Sequence, residues 1–119
     1  MIVVDASVLI AYLDPNDEYH HAAVELLGDA APPFVVHSVT AAEMLVSPMR
    51  RGIAESVWAD LVAIGVELDR STIDPMQLAR LRVDTGCKMP GCCVLAVAAV
   101  RDATVATFDE RLSRHAEPS

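Results

Sequence analysis

Aromatic residues are scarce in this chain: two Phe, two Tyr and one Trp among 119 residues. So few rings argue against recognition of RNA mainly by stacking bases on aromatic side chains. Cysteine is also scarce. Cys87, Cys92 and Cys93 are an odd set with two adjacent members. They form neither a disulfide framework nor a zinc-ligand spacing, and a reduced, cytoplasmic compartment is expected. Basic charge is in deficit, with 9 Lys and Arg against 17 Asp and Glu and a net charge of −8. That balance excludes a sequence-independent nucleic-acid coat, which works by broad phosphate neutralisation. It leaves room for a nucleic-acid enzyme whose acidic centre sits among a few local cations. Long apolar runs are missing, and the longest uncharged one, Cys92 to Val100, is too short to span a bilayer. No basic region precedes an apolar segment at the start, so neither a signal peptide nor a membrane association is expected.

What is present is an apolar chain, 53% hydrophobic and rich in Ala and Val. One compact domain over residues 1–119 is expected, with a core large enough to need no cross-links. Met1-Ile2-Val3-Val4 and Phe34-Val35-Val36-His37 read as strands buried on both faces, the pattern of a parallel sheet. Val66-Glu67-Leu68 and Thr104-Val105-Ala106-Thr107 supply two more. Helices are expected over 6–13, from 18 to a stop at Gly28, from Thr40 to near Gly52, and over 53–64. Three more run from Asp74-Pro75 to about Val83, from Pro90 to Val100, and from Asp109 to about Arg114. Alternation of strands and helices predicts a three-layer α/β/α sandwich around a mainly parallel central sheet. Ligand sites in such sheets lie beyond the carboxyl ends of the strands.

Three carboxylates are expected at that edge. Asp5 follows the first strand, Glu43 falls in the first turn after the second, and Asp109 comes just after the fourth. Each has a structural explanation. Asp5 and Asp109 suit helix N-caps, worth about 0.5–2 kcal/mol each. Glu43 completes a capping box with Thr40. Capping does not require the three to converge, however, and converging carboxylates repel. A bound cation explains convergence, and oxygen-only donors favour Mg²⁺ or Mn²⁺. Such a site suits phosphodiester hydrolysis. Asp5 and Asp109 would be the main ligands. Glu43 would bind metal, directly or through water, or accept a proton from the attacking water.

Four segments, in order, carry a resemblance: Ile2-Val3-Val4-Asp5-Ala6-Ser7-Val8-Leu9, Thr40-Ala41-Ala42-Glu43, Lys88-Met89-Pro90-Gly91-Cys92-Cys93-Val94-Leu95-Ala96 and Ala106-Thr107-Phe108-Asp109-Glu110-Arg111-Leu112. Together they resemble a PIN domain, with the spacing and length of VapC-type toxins of VapBC toxin–antitoxin systems. The resemblance implies a Mg²⁺- or Mn²⁺-dependent endoribonuclease acting on structured RNA, chiefly tRNA or rRNA. It implies a homodimer and inhibition by a cognate VapB-like antitoxin. It implies Asp5, Glu43 and Asp109 as site carboxylates, with Ser7 and Thr107 as secondary polar groups.

One position departs from that pattern. The family usually has Asp where this chain has Gly91, so the fourth carboxylate is missing. Asp84 is the only nearby substitute in sequence. A weakened lineage and a substitution that tolerates expression of a toxic nuclease are both consistent with this. A PIN domain that acts mainly by binding antitoxin or RNA is therefore the alternative reading. A phosphatase ranks lower, because Asp5-Ala6-Ser7 lacks a second Asp. A receiver domain ranks lower too, because it needs an acidic pair after the first strand.

The remaining polar residues have simpler explanations. Lys88 and Arg111 flank the site edge and are the candidates for RNA phosphates. Arg50, Arg51, Arg80, Arg82 and Arg114 read as solvated surface charge. His20, His21 and His37 read as structural or surface groups, since adjacent helical histidines diverge. Cys92 and Cys93 read as small packing residues. Trp58, with Val57, Leu61, Val62 and Ile64, forms a helix face that packs internally or lines a dimer. Leu45 is expected on a similar face.

Overall fold

β-Branched residues pack well in pleated strands, and the chain opens with β1 over Ile2–Val4. A computed structural model describes residues 1–116. After β1 come α1 (Ala6–Leu13), α2 (His20–Asp29), β2 (Phe34–Val36), α3 (Ser38–Arg50) and α4 (Ala54–Ala63). They are followed by β3 (Val66–Leu68), α5 (Pro75–Thr85), α6 (Met89–Arg101), β4 (Thr104–Ala106) and α7 (Glu110–Ala116). The sheet order is β3-β2-β1-β4 and every pairing is parallel. Alternate residues divide the core. Val4, Phe34, Val36, Val66 and Ala106 face a layer that includes Leu9, Leu27, Met44 and Leu61 of α1–α4. Val3 and Val35 face the other layer, with Val94 and Val97 of α6 and Leu112 of α7. The expected α/β/α sandwich is the observed architecture.

Several boundaries move for identifiable reasons. α2 passes through Gly28 to Asp29, because the Ala30 N–H reaches the Leu26 carbonyl and Gly28 does not adopt positive φ. α3 begins at Ser38 rather than Thr40. The His37 ring caps it by accepting from the Val39 N–H at 3.0 Å. The Thr40–Glu43 capping box is therefore not formed. Thr40 is fully buried in the first turn with its hydroxyl unpartnered, and Glu43 lies in the second turn. α6 begins at Met89, one residue before Pro90, so Gly91 is its third residue. Leu61 is fully buried, and Val57, Trp58 and Leu45 pack against the core. The apolar side chains left exposed on α3 and α4 include Val46, Met49 and Val62. Among the described residues, no single helix is long and apolar enough to cross a membrane.

One buried ion pair ties the edge strand to α6. The Asp69 side chain is fully buried and accepts from Arg101 Nε at 2.8 Å and from the Ser71 hydroxyl. Burial pushes its pKa up, but the Ser71 hydroxyl and the Arg101 guanidinium outweigh that and hold it below the usual value. A depressed folded-state pKa contributes stability above the unfolded-state value, and that contribution disappears as pH falls through the folded one. Asp69→Asn should cost roughly 3 kcal/mol at pH 7, because it leaves Arg101 without its buried partner. Urea titrations should show the difference shrinking on acidification below about pH 4. A second, opposite expectation concerns Gly28. It is exposed and helical, and a Cβ there would meet nothing within 4 Å. Gly28→Ala should stabilise by about 0.5–1 kcal/mol in the same titrations.

Candidate active site

The sheet topology creates one crevice. The chain runs outward from β1 through β2 to β3, then returns to place β4 on the other side of β1. Open α/β sheets bind ligands beyond the strand ends at such a reversal. Asp5 follows β1 there, and Thr107, Phe108 and Asp109 follow β4. A cleft of about 590 Å³ opens at this edge, and Asp5, Ser7, Glu43, Lys88, Gly91, Asp109 and Arg111 are among the residues that line it. Asp84 is exposed and does not line it.

Asp5 is the most constrained of the acids. It is buried, and its Oδ2 accepts from the hydroxyls of Ser7 and Thr107, each at 2.8 Å. Each hydroxyl is fixed in turn by a backbone donor. The Phe108 N–H donates to Ser7 Oγ at 3.0 Å, and the Asp109 N–H donates to Thr107 Oγ1 at 3.0 Å. The hydroxyl protons therefore point at Asp5 Oδ2, and Oδ1 has no hydrogen-bond partner among the described residues. Although Asp5 occupies the N-cap position of α1, its side chain makes no cap bond. Asp109 does act as a cap: its Oδ1 accepts from the Leu112 N–H at 2.9 Å. The structural and functional readings thus separate, with Asp109 committing one oxygen to its helix and Asp5 none.

Glu43 projects from α3 toward the same space. Burial pushes its pKa up, and the Asp5 carboxylate pushes it further. The burial is one-sided, since the residue as a whole remains exposed. Burial likewise raises the Cys93 thiol, with Cys92 and then Glu43 adding to the effect. Cys92 and Cys93 are buried packing groups, and Cys87 is buried in the cleft wall. No histidine is among the cleft-lining residues. His20 Nδ1 bonds the Ala11 carbonyl at 2.8 Å, and His37 is the α3 cap.

The donor set is chemically suited to a hard cation, being oxygen-only around Asp5. Among the described residues, no three acidic, imidazole or thiol side chains gather closely enough to enclose an ion unaided. Mg²⁺ needs no such cage, because it keeps several waters and binds through one or two carboxylates. Asp5 and Glu43 fit that requirement. Gly91 withholds a further donor from the third position of α6. Its site is not closed to a side chain, since a Cβ would meet Cys87 Cβ at 3.5 Å and Leu112 Cδ1 at 3.6 Å, ordinary contacts.

The PIN domain family model matches residues 2–118. The chain belongs to the PIN domain family. No curated protein matches it in sequence. Its fold is similar to that of VapC20 of Mycobacterium tuberculosis, a sarcin-ricin loop cleaving toxin. The TM-score is 0.76 at 17% identity, covering 97% of this chain and 95% of that one. It is also similar to a chain of a toxin–antitoxin complex from Klebsiella pneumoniae, with TM-score 0.78, 17% identity, and coverage of 92% and 87%. FitAcB from Neisseria gonorrhoeae gives TM-score 0.74 and 17% identity over 98% and 93% of the two chains. This PIN domain therefore shares its fold with VapC toxins.

Two features of the PIN site escaped the sequence reading. Tyr19 stacks on Phe108, with ring centroids 4.9 Å apart, and so braces the loop that carries Thr107 and Asp109. Gly86 lines the cleft and ends α5 in the left-handed conformation at φ 71°. The Thr85-Gly86 pair was a legible C-cap signal.

The raised pKa of Glu43 has a stability consequence. In the metal-free protein the folded state holds this proton more tightly than the unfolded state. Its contribution is therefore most favourable below the ordinary value of 4.5 and is lost as pH rises through the raised one. Glu43→Gln should raise the melting temperature relative to the parent at pH 7 in EDTA. At about pH 3 the two should melt together, because the parent is then protonated in both states.

Proposed function

We propose that this PIN domain is a divalent-metal-dependent endoribonuclease, the toxin of a VapBC-type toxin–antitoxin pair. The observation that carries the reading is Asp5. It is a buried carboxylate at the end of the central strand, held by two hydroxyls whose protons are fixed, with its other oxygen left open in a cleft shared with Glu43 and Asp109. A helix cap or surface acid needs no such support. Asp5 and Glu43 would hold Mg²⁺ or Mn²⁺, with Asp109 contributing its free oxygen directly or through water. When bound, the metal supplies Lewis-acid activation of a water and neutralises charge developing on the phosphorus.

The chain's own groups complete the chemistry. Ser7 and Thr107 orient Asp5 by donating to it. Where Glu43 does not itself hold the metal, it lines the same cleft as Asp5 and is placed to take a proton from the attacking water. Lys88 and Arg111, at the cleft rim, meet the negative phosphates that the carboxylates would repel. The substrate is structured RNA, of the tRNA or rRNA class. A small VapB-like antitoxin would fill the cleft with a basic side chain, relieving the same carboxylate repulsion as the metal. Homodimerisation would use the exposed apolar residues of α3 and α4, Val46, Met49 and Val62.

Gly91 favours one second reading, in which the site is weak and binding predominates. Gly91→Asp separates the two. It should raise Mn²⁺ affinity in calorimetry and RNA cleavage in a titration of Mg²⁺ or Mn²⁺, each by about 10–100-fold. Asp5→Asn should abolish cleavage in either background. A fully active parent that gains nothing from Gly91→Asp would remove position 91 from the site. A chain inactive with and without the substitution would favour the binding reading.

A further inference from the structure

Arg82 and Arg111 come from different helices and meet on one oxygen. Arg82, in the last turn of α5, donates from Nη1 to the Gly86 and Cys87 carbonyls, each at 2.8 Å. Arg111, in the first turn of α7, donates from Nη1 to the same Gly86 carbonyl at 3.0 Å. The two Nη1 atoms therefore lie within about 6 Å of each other, a distance at which like charges repel. The ion pairs among the described residues all involve Arg101, so neither of these guanidinium groups has a carboxylate partner. Asp109 lines the same cleft two residues before Arg111 and is left unused by it. Helix capping does not account for the pair, because Arg82 alone satisfies both carbonyls at the end of α5. Gly86 makes the junction possible. Its positive φ turns the chain, and a Cβ there would stand 3.3 Å from Arg111 Nη1. Arg111 and the exposed Lys88 line the cleft, whereas Arg82 does not line it and reaches its edge through the Gly86 and Cys87 carbonyls.

Two cations held close without an anion present the converse of the Asp5–Glu43 problem. A guanidinium carries five N–H donors in a rigid fork. Among the described residues each of these two is engaged only through Nη1, which leaves its other donors for a ligand with several acceptor oxygens. A phosphodiester matches that geometry. We propose that Arg82 and Arg111, joined on the Gly86 carbonyl, form a fork that binds a backbone phosphate of RNA at the rim of the acidic cleft. The proposal rests on the nuclease reading for its ligand. It explains how a chain of net charge −8 engages a polyanion: the positive charge is concentrated beside the carboxylates rather than spread over the surface. The fork binds and positions; it takes no part in bond cleavage.

The test uses the full chain. Binding of a short labelled oligoribonucleotide is followed by anisotropy across a salt series in the non-cleaving Asp5→Asn background. Cleavage kinetics are followed in the parent background. Arg82→Gln and Arg111→Gln should each weaken binding about tenfold and lower the log–log salt slope by about one. Both should raise KM while leaving kcat close to the parent value. Arg70→Gln, an exposed cation away from the cleft, should change neither. Arg111→Gln removes no helix cap, so it decides the matter if Arg82→Gln loses its fold by circular dichroism. A folded Arg111→Gln protein with the parent's affinity, salt slope and KM would overturn the fork. RNA cleavage with KM indifferent to both arginines would sink the fork and leave the nuclease reading standing. Fork-dependent RNA binding by a parent that cleaves nothing would do the reverse.

Discussion

A buried carboxylate and the two hydroxyls that orient it govern this molecule. Asp5 follows the central strand and is buried there. Its two hydroxyl donors are both oriented by backbone N–H groups of the loop after β4. Ser7 is local, but Thr107 and both orienting N–H groups come from a segment about a hundred residues away, so the full support exists only when β1 and β4 are paired in register. Folding and site assembly are thus one event: the register that places Val4 beside Ala106 also delivers Ser7 and Thr107 to the same oxygen.

Charge is then arranged outward from that centre. Glu43 faces Asp5 with its proton held more tightly than usual. Asp109 spends one oxygen on its own helix. Lys88 and Arg111 bring positive charge to the rim. The closeness that makes the acids repel would draw a cation or a basic partner side chain to the same cleft. Catalysis and inhibition would accordingly compete for one electrostatic vacancy. Gly91 reduces the depth of that vacancy by one donor, while the backbone around it still accommodates a side chain.

Much of this was legible in the sequence, because the strands are continuous β-branched runs and the breaks between elements are marked by Pro, Gly and Asp. The four strands and seven helices of the described residues all answer to expected elements, with ends moved by one or two residues. The convergence of Asp5, Glu43 and Asp109 on one cleft followed from their common place after strands. What stayed hidden depends on side chains that act across the fold. The Thr40–Glu43 spacing imitates a capping box, but His37 occupies the cap and starts the helix earlier. Trp58 reads equally as a core or an interface residue; it and Leu45 pack partly buried against the core, a contact local periodicity cannot tell from any other apolar one. The junction of Arg82 and Arg111 at Gly86 has no sequence signature, because it joins two helices through one carbonyl oxygen.

The central claim is that Asp5 is the anchoring ligand of a divalent cation. It is tested most directly by anomalous diffraction from crystals soaked in Mn²⁺. The account predicts a peak in the cleft beside the open oxygen of Asp5, on the side facing Glu43, and its loss in Asp5→Asn crystals. Saturating Mn²⁺ that leaves the cleft empty, or a peak that survives Asp5→Asn, would contradict it.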